Sequence, residues 1–229
     1  MAVLSAPRPF LTAAWRDLAV LNFEVNPSVL APYVPAKTEL DLWQGKTLVS
    51  LVGFRFLETK VLGVSVPFHT DFDEVNLRFY VRGAEGRGVV FIKEIVPKRA
   101  VAGVARLLYG ENYVTAPIEH RIERGRSVSY TWQWQGRQNY VAIDAAGEPW
   151  LPAEDSAEAF ILEHYWGYKH SAYRVEHPRW RVWTVTAARC DVGGDALYGA
   201  GFGEVLQAAP VSAMLAEGSE VAVFRQTGG

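Results

Sequence analysis

The sequence predicts an α+β domain that is mainly antiparallel β, a closed or half-closed barrel with a few flanking helices. Three observations predict it. Apolar residues recur with a period of two through most of the chain, as in strands with one buried face. The links between these runs are short and glycine-bearing, such as Gly83-Ala84-Glu85-Gly86-Arg87-Gly88, Gly125-Arg126 and Gly136-Arg137, which favours antiparallel neighbours. Only two longer segments carry a clear helical pattern.

Taken in order, Trp15 to Phe23 is apolar at mixed spacing and fits a strand or a short helix. Asn26 can cap a short helix with Pro27 in its first position, ended by Pro32 and Pro35. Leu40 to Trp43 begins a strand, Gln44-Gly45-Lys46 turns, and Thr47 to Phe56 is apolar on nearly both faces. Beyond a loop with Gly63, Pro67 and His69, a strand runs from Glu74 to Val81 and returns through a hairpin as Val89 to Ile95. Pro97 opens a helix that Gly110 or Asn112 can end. Ile118–Ile122, Ser127–Trp134 and Tyr140–Ala145 are strands. A helix is expected from about Ser156 to Tyr165, with acidic residues and a cap at its start. Arg181 to Ala188 is a further strand, and Glu204–Leu206 and Val221–Phe224 read as weak endings of the sheet.

With 229 residues, 49% of them hydrophobic, one domain spanning 1–229 can bury a core without staples. A net charge of −2 with scattered arginines gives no electrostatic case for nucleic acid or an anionic membrane as partner. The lone cysteine, Cys190, excludes an intramolecular disulfide and a thiolate metal cluster, and is expected in a buried strand. Residues 1–10 lack the basic leader and apolar core of a signal peptide, and no long uncharged apolar run follows, so a cytoplasmic protein is expected. No His-Glu-x-x-His, no Gly-x-Gly-x-x-Gly opening a helix and no Gly-x-Ser-x-Gly elbow occurs; no metal and no cofactor is expected.

Between Glu74 and Val81 the odd positions are Val, Leu, Phe and Val, and the even ones are Glu74, Asn76, Arg78 and Tyr80. Such a polar face ordinarily meets water. This one is a hydrogen-bonding set without lysine, serine or threonine, which suits the wall of a cavity. Lys98 and Arg99 stand at a strand-to-helix junction, where a desolvated amine beside another cation would lose its proton more readily and could attack a carbonyl. The bland alternative is two solvated cations opening a surface helix. His164, within Glu163-His164-Tyr165-Trp166-Gly167-Tyr168, can line a pocket or pack as a satisfied core histidine. In Glu176-His177-Pro178-Arg179-Trp180-Arg181, Arg181 enters a strand and is the residue expected to reach an anion.

The segments Phe72–Val81, Val90–Pro97, Ala105–Tyr109 and Glu163–Tyr168 resemble the bacterial family called domain of unknown function 2071, along almost the whole chain. That family is grouped with acetoacetate decarboxylase-like proteins, so the resemblance implies a β-rich barrel around a polar cavity, with Glu74, Asn76 and Arg78 facing inward. In acetoacetate decarboxylase an acidic residue precedes a Pro-Lys-Lys segment whose first lysine forms a Schiff base. Glu94 and Pro97-Lys98-Arg99 are similar, which places Lys98 on the reactive lysine and Arg99 on its cationic neighbour. The spacing from glutamate to proline is shorter here and the second lysine is an arginine, and fold kinship does not transfer a reaction.

Three functions follow. The first is binding of a small organic acid or ketone, with Arg78 holding the anion and Glu74, Asn76, Tyr80, His164 and Arg181 around it. The second is a lyase in which Lys98 attacks a ketone, Arg99 keeps it neutral and Glu94 or Glu74 manages protons. The third is a structural or protein-interaction domain built on the aromatic surplus, with self-association left open.

Overall fold

A computed structural model of the chain describes residues 8–65, 70–97, 112–169 and 172–225. Its elements are β1 (Leu11–Glu24), α1 (Pro27–Leu30), β2 (Glu39–Leu40), β3 (Leu48–Val61), β4 (Val64–Ser65), β5 (Phe72–Gly83), β6 (Gly86–Val96), β7 (Tyr113–Thr115), β8 (Ile118–Glu123), β9 (Ser127–Trp134) and β10 (Arg137–Trp150). There follow α2 (Ala157–Leu162), β11 (Trp166–Tyr168), β12 (Ala172–Glu176), β13 (Val182–Asp191), α3 (Gly194–Tyr198), α4 (Phe202–Gln207) and β14 (Ser212–Arg225). Lys98, Arg99 and the helix expected after Pro97 lie outside the described residues, as does His69.

Strands β1, β3, β5, β6, β11, β12 and β14 pair in that order, and β14 pairs back onto β1, so the sheet closes into a barrel. Closure removes the unpaired edges that an open sheet of this size would leave. The pairings are antiparallel except where β6 meets β11 and β7, which run parallel to it. β14 is long enough to serve two layers. Its end pairs with β12 at Ala222 to Arg225, while Leu215 and Ala216 pair with β13, from which β10, β9 and β8 continue as an outer sheet.

Two cores follow from the pleat. On the outer wall Ala19, Leu21, Val49, Leu51, Val75, Leu77 and Phe79 pack against Tyr130, Trp132, Val141, Ile143 and Phe202. Inside the barrel Leu18, Val20, Val52, Phe54, Phe56, Val182, Met214 and Val223 meet the α2 residues Phe160, Ile161 and Leu162. The docking of the outer sheet explains one glycine. A Cβ on Gly53 would stand 2.5 Å from the Tyr130 ring. The Tyr130 hydroxyl, reaching past it, donates to the Asp17 carbonyl at 2.9 Å, in a β1 irregularity where Asp17 has a φ of 57°.

Local signals set several boundaries. Asn26 caps α1 by accepting from Ser28 N, and Ser156 caps α2 by accepting from Ala159 N. α2 stops at Leu162, short of the expected Tyr165, and so His164 lies beyond its end. Trp15 to Phe23 is strand throughout. Glu204–Leu206, expected as strand, belongs to helix α4, and Val221–Phe224 is only the end of a 14-residue strand. Cys190 is on β13 as expected but half-buried. Among the described residues no helix is long and apolar enough to cross a membrane.

Candidate functional site

The even-numbered face of β5 points into the barrel. Glu74, Asn76 and Arg78 stand opposite Phe54, Val52 and Ser50 of β3, all of them interior positions. On the other side β6 carries an irregularity: Leu77 pairs with Lys93 and Arg78 with Phe91, leaving Ile92 as an extra residue. A one-residue bulge changes which face the following side chains occupy. Here it lets Phe91 and Glu94, three positions apart, both face the interior, while Ile92 joins the outer core.

These side chains border a cavity of about 80 Å³. That is several times the ~10–15 Å³ that one water requires. Its polar wall is Glu74, Asn76, Arg78 and Glu94 with Tyr113 of β7. Facing it are Trp15, Phe54, Phe56, Ile161, Leu162 and Trp180. The two carboxyl groups are buried, at 2% exposure each. Asn76 Nδ2 donates to Glu74 Oε1 at 2.9 Å, and the Tyr113 hydroxyl donates to Glu74 Oε2 at 3.3 Å. Burial holds the Tyr113 phenol well above its ordinary pKa, and the adjacent Glu74 and Glu94 push it in the same direction.

Arg78 Nε is buried without a hydrogen-bond partner, as is Asn76 Oδ1 two positions away, and among the described residues no carboxylate forms an ion pair with Arg78. Glu74 is instead bonded to Asn76 and Tyr113.

A second polar cluster lies beside the cavity. Asp41 follows β2 and is 2% exposed at its side chain. It accepts from Arg82 Nε at 2.9 Å, from Arg87 Nε at 2.7 Å and from His164 Nε2 at 3.0 Å. Arg82 and Arg87 are directly cross-strand partners in the β5–β6 hairpin, a repulsive pairing that the shared Asp41 carboxylate offsets. Burial works to raise the Asp41 pKa, but the hydrogen bonds from His164 and Arg87 hold it well below the usual carboxylate range. Burial lowers the pKa of His164, and the Arg87 charge works the same way against the Asp41 bond. The His164 ring lines the cavity, with its centroid 4.7 Å from that of Tyr80.

The sequence-expected residues therefore divide. Glu74, Asn76, Arg78, Glu94 and His164 converge on one cavity. Tyr80 faces the same interior but does not border the cavity, because its hydroxyl is engaged with Ser50 Oγ at 2.5 Å. Arg181 is a correction. It is exposed, just ahead of β13, and its Nε donates to Glu217 Oε2 at 3.0 Å on the outside. The same segment instead sends His177 and Trp180 to the cavity. Tyr113, which the sequence suggests as ordinary packing at the close of the first helix, stands on β7 and borders the cavity. Asp41 escaped the sequence reading; its signal was two arginines opposed across a tight hairpin, which need an anion. Among the described residues no group of three or more His, Cys, Asp or Glu is placed to hold a metal ion.

Comparison with known proteins places this architecture. Residues 12–220 match the model of the family domain of unknown function 2071, an uncharacterized conserved protein family. The Bacillus subtilis protein YqjF, itself described as uncharacterized, is 25% identical over 156 residues, covering 66% of this chain and 64% of that one. The chain thus matches less than two thirds of the length of that relative. Among solved structures, the acetoacetate decarboxylase of Legionella pneumophila superposes with a TM-score of 0.72 at 13% identity, over 97% of this chain and 91% of that one. The enduracididine biosynthesis enzyme MppR, complexed with pyruvate, gives 0.64 at 10% identity over 100% and 92%. An acetoacetate decarboxylase-like enzyme from Sphingomonas wittichii gives 0.62 at 12% identity over 98% and 93%. At these identities the likeness carries the fold and not the reaction. The chain belongs to the domain of unknown function 2071 family and has the acetoacetate decarboxylase-like barrel fold.

Proposed function

We propose that the barrel interior binds a small carboxylate, with Arg78 as its anchor. The observation that carries this reading is the buried Arg78 Nε without a partner, in a side chain that forms no ion pair among the described residues. A buried donor left unsatisfied costs ~1–3 kcal/mol, and more in a charged group. The alternative of an internal Arg78–Glu74 pair loses support, since Glu74 is bonded to Asn76 and Tyr113. A carboxylate would accept two parallel N–H bonds from the guanidinium. Glu74 and Asn76, bonded to each other, orient the guest, and the facing aromatic wall takes a short apolar part. The size of the cavity limits the guest to a few heavy atoms. That MppR, a protein of the same fold, was solved with pyruvate supports a small keto acid as the first compound to try. A lyase would additionally need Lys98 and Arg99, which lie outside the described residues; binding is the part of the reading that has residues behind it.

Trp15, Trp166 and Trp180 border the cavity, so intrinsic fluorescence reports on its contents. Pyruvate, acetate and acetoacetate should alter the emission saturably, and acetone and acetamide should do so far more weakly. Arg78→Gln should weaken the carboxylate response by roughly 30-fold or more, equivalent to about 2 kcal/mol. Equal responses to acid and amide, or full affinity in Arg78→Gln, would refute the assignment.

A further inference from the structure

We infer that His177 is a second ligand-binding group of this cavity, which takes up a proton as the carboxylate seats on Arg78. The inference rests on the carboxylate reading above. His177 leaves the end of β12 and borders the cavity together with Arg78. Its ring is fixed: it stacks on Trp180 with centroids 4.0 Å apart and planes at 19°, and Tyr165 lies 4.9 Å away on a tilt. Nδ1 lies 2.8 Å from the Pro178 carbonyl, which can only accept, so Nδ1 carries the proton of the neutral ring. Nε2 is then the nitrogen left for a guest, and among the described residues it has no hydrogen-bond partner.

Burial holds the neutral form of His177; the bond to the Pro178 carbonyl works against it, and the Arg78 charge adds to the effect of burial. Glu163, beyond α2, acts in the opposite direction. The residue also borders an open depression that contains Glu58 and Lys60 of β3, Glu176 of β12 and Glu220 of β14. The charge that an incoming carboxylate changes is that of Arg78. Once the guanidinium is neutralised, the imidazole no longer faces an uncompensated cation. Nε2 can then protonate and donate to the guest. In the empty site Nε2 offers only a lone pair, which a carboxylate cannot use.

The linkage has a fixed sign. The bound state holds the His177 proton more tightly than the empty one, so affinity is greatest below the midpoint of the empty site. It falls as the pH rises to the midpoint of the occupied site and is level above it. Each unit between the two midpoints corresponds to about a tenfold change in affinity.

The experiment follows the His177 Cε1–H resonance, assigned by its loss in His177→Gln, across pH with and without pyruvate, while pyruvate affinity is read by fluorescence on the same samples. Pyruvate should raise the His177 midpoint in the wild type. Arg78→Gln should raise it with no ligand present, by removing the cation. His177→Gln should keep a weakened pyruvate site whose affinity no longer varies between pH 5 and 8. If pyruvate binds with the midpoint unmoved, or Arg78→Gln leaves it in place, the linkage is overturned and the carboxylate reading stands. If pyruvate, acetate and acetoacetate all fail to bind the wild type at every pH, both fall together.

Discussion

Two polar regions share the interior of this barrel, and only one of them is closed on itself. At the closed end the Tyr80 hydroxyl donates to Ser50 Oγ, Ser50 donates to Asn22 Oδ1 at 2.5 Å, and Asn22 Nδ2 donates to Ser212 Oγ at 2.9 Å. That relay joins β1, β3, β5 and β14 across the barrel. Beside it Asp41 collects Arg82, Arg87 and His164. Two residues back along the same face of β5 is Arg78, whose Nε has no such partner. In the Tyr80 relay each polar side chain has its bond, and closed networks of this kind fix a fold; in the Asp41 cluster His164 Nδ1 is left buried without one. A buried polar group held open in a cavity costs stability, and on the proposed reading a guest is what pairs it. On the proposed reading the difference separates residues that hold the fold from those that hold a guest, although all of them are buried or half-buried polar groups on one barrel.

Mutation at the closed end should produce the largest loss. Asp41→Asn keeps the shape but removes the charge shared by His164 and two arginines, and should cost ~2–4 kcal/mol in urea denaturation. The arginines are partly solvated, so the loss is drawn mainly from the buried His164 contact. The same cluster sets an acid limit. His164 is buried with a lowered pKa, so the unfolded chain takes up its proton first, and stability declines as the pH falls below the unfolded value near ~6.5. Asp41, whose pKa is depressed in the fold, contributes fully above its unfolded value of ~3.9 and loses that contribution as the pH falls further. A stability profile that is flat from pH 7 to pH 4 would contradict the cluster. Tyr80→Phe, which removes one donor from a satisfied relay, should cost less, ~1–2 kcal/mol. If it proved neutral, the relay would not be holding the barrel.

The sequence carried the fold class and the inward face of β5 because a period of two, broken by no bulge on that strand, is a local property. Caps at Asn26 and Ser156 were legible for the same reason. What escaped it depends on distant partners. β14 is recognisable as a 14-residue strand only once β1, β12 and β13 supply its neighbours. Helices α3 and α4 begin at Gly193 and Gly201 without side-chain caps. They are held from outside their own runs, by Asn139 accepting from Gly193 N and Asp195 from Gly203 N. The bulge at Ile92, which brings Glu94 onto the face of Phe91, is set by the pairing with β5. Arg181 reads from the sequence as a strand residue within reach of an anion; only the distant Glu217, which engages it on the outside, reveals otherwise, and His177, stacked on Trp180, borders the cavity instead.

The comparison is tested most directly by urea unfolding of the wild type and Arg78→Gln, each with and without pyruvate. The account predicts that the variant without ligand is at least as stable as the wild type, because the substitution removes a buried charged donor that has no partner. Pyruvate at ten times its dissociation constant should stabilise the wild type by about 1.4 kcal/mol and leave the variant unmoved. A variant destabilised by ~2 kcal/mol or more, with a wild type indifferent to pyruvate, would show that Arg78 serves the fold and would contradict the account.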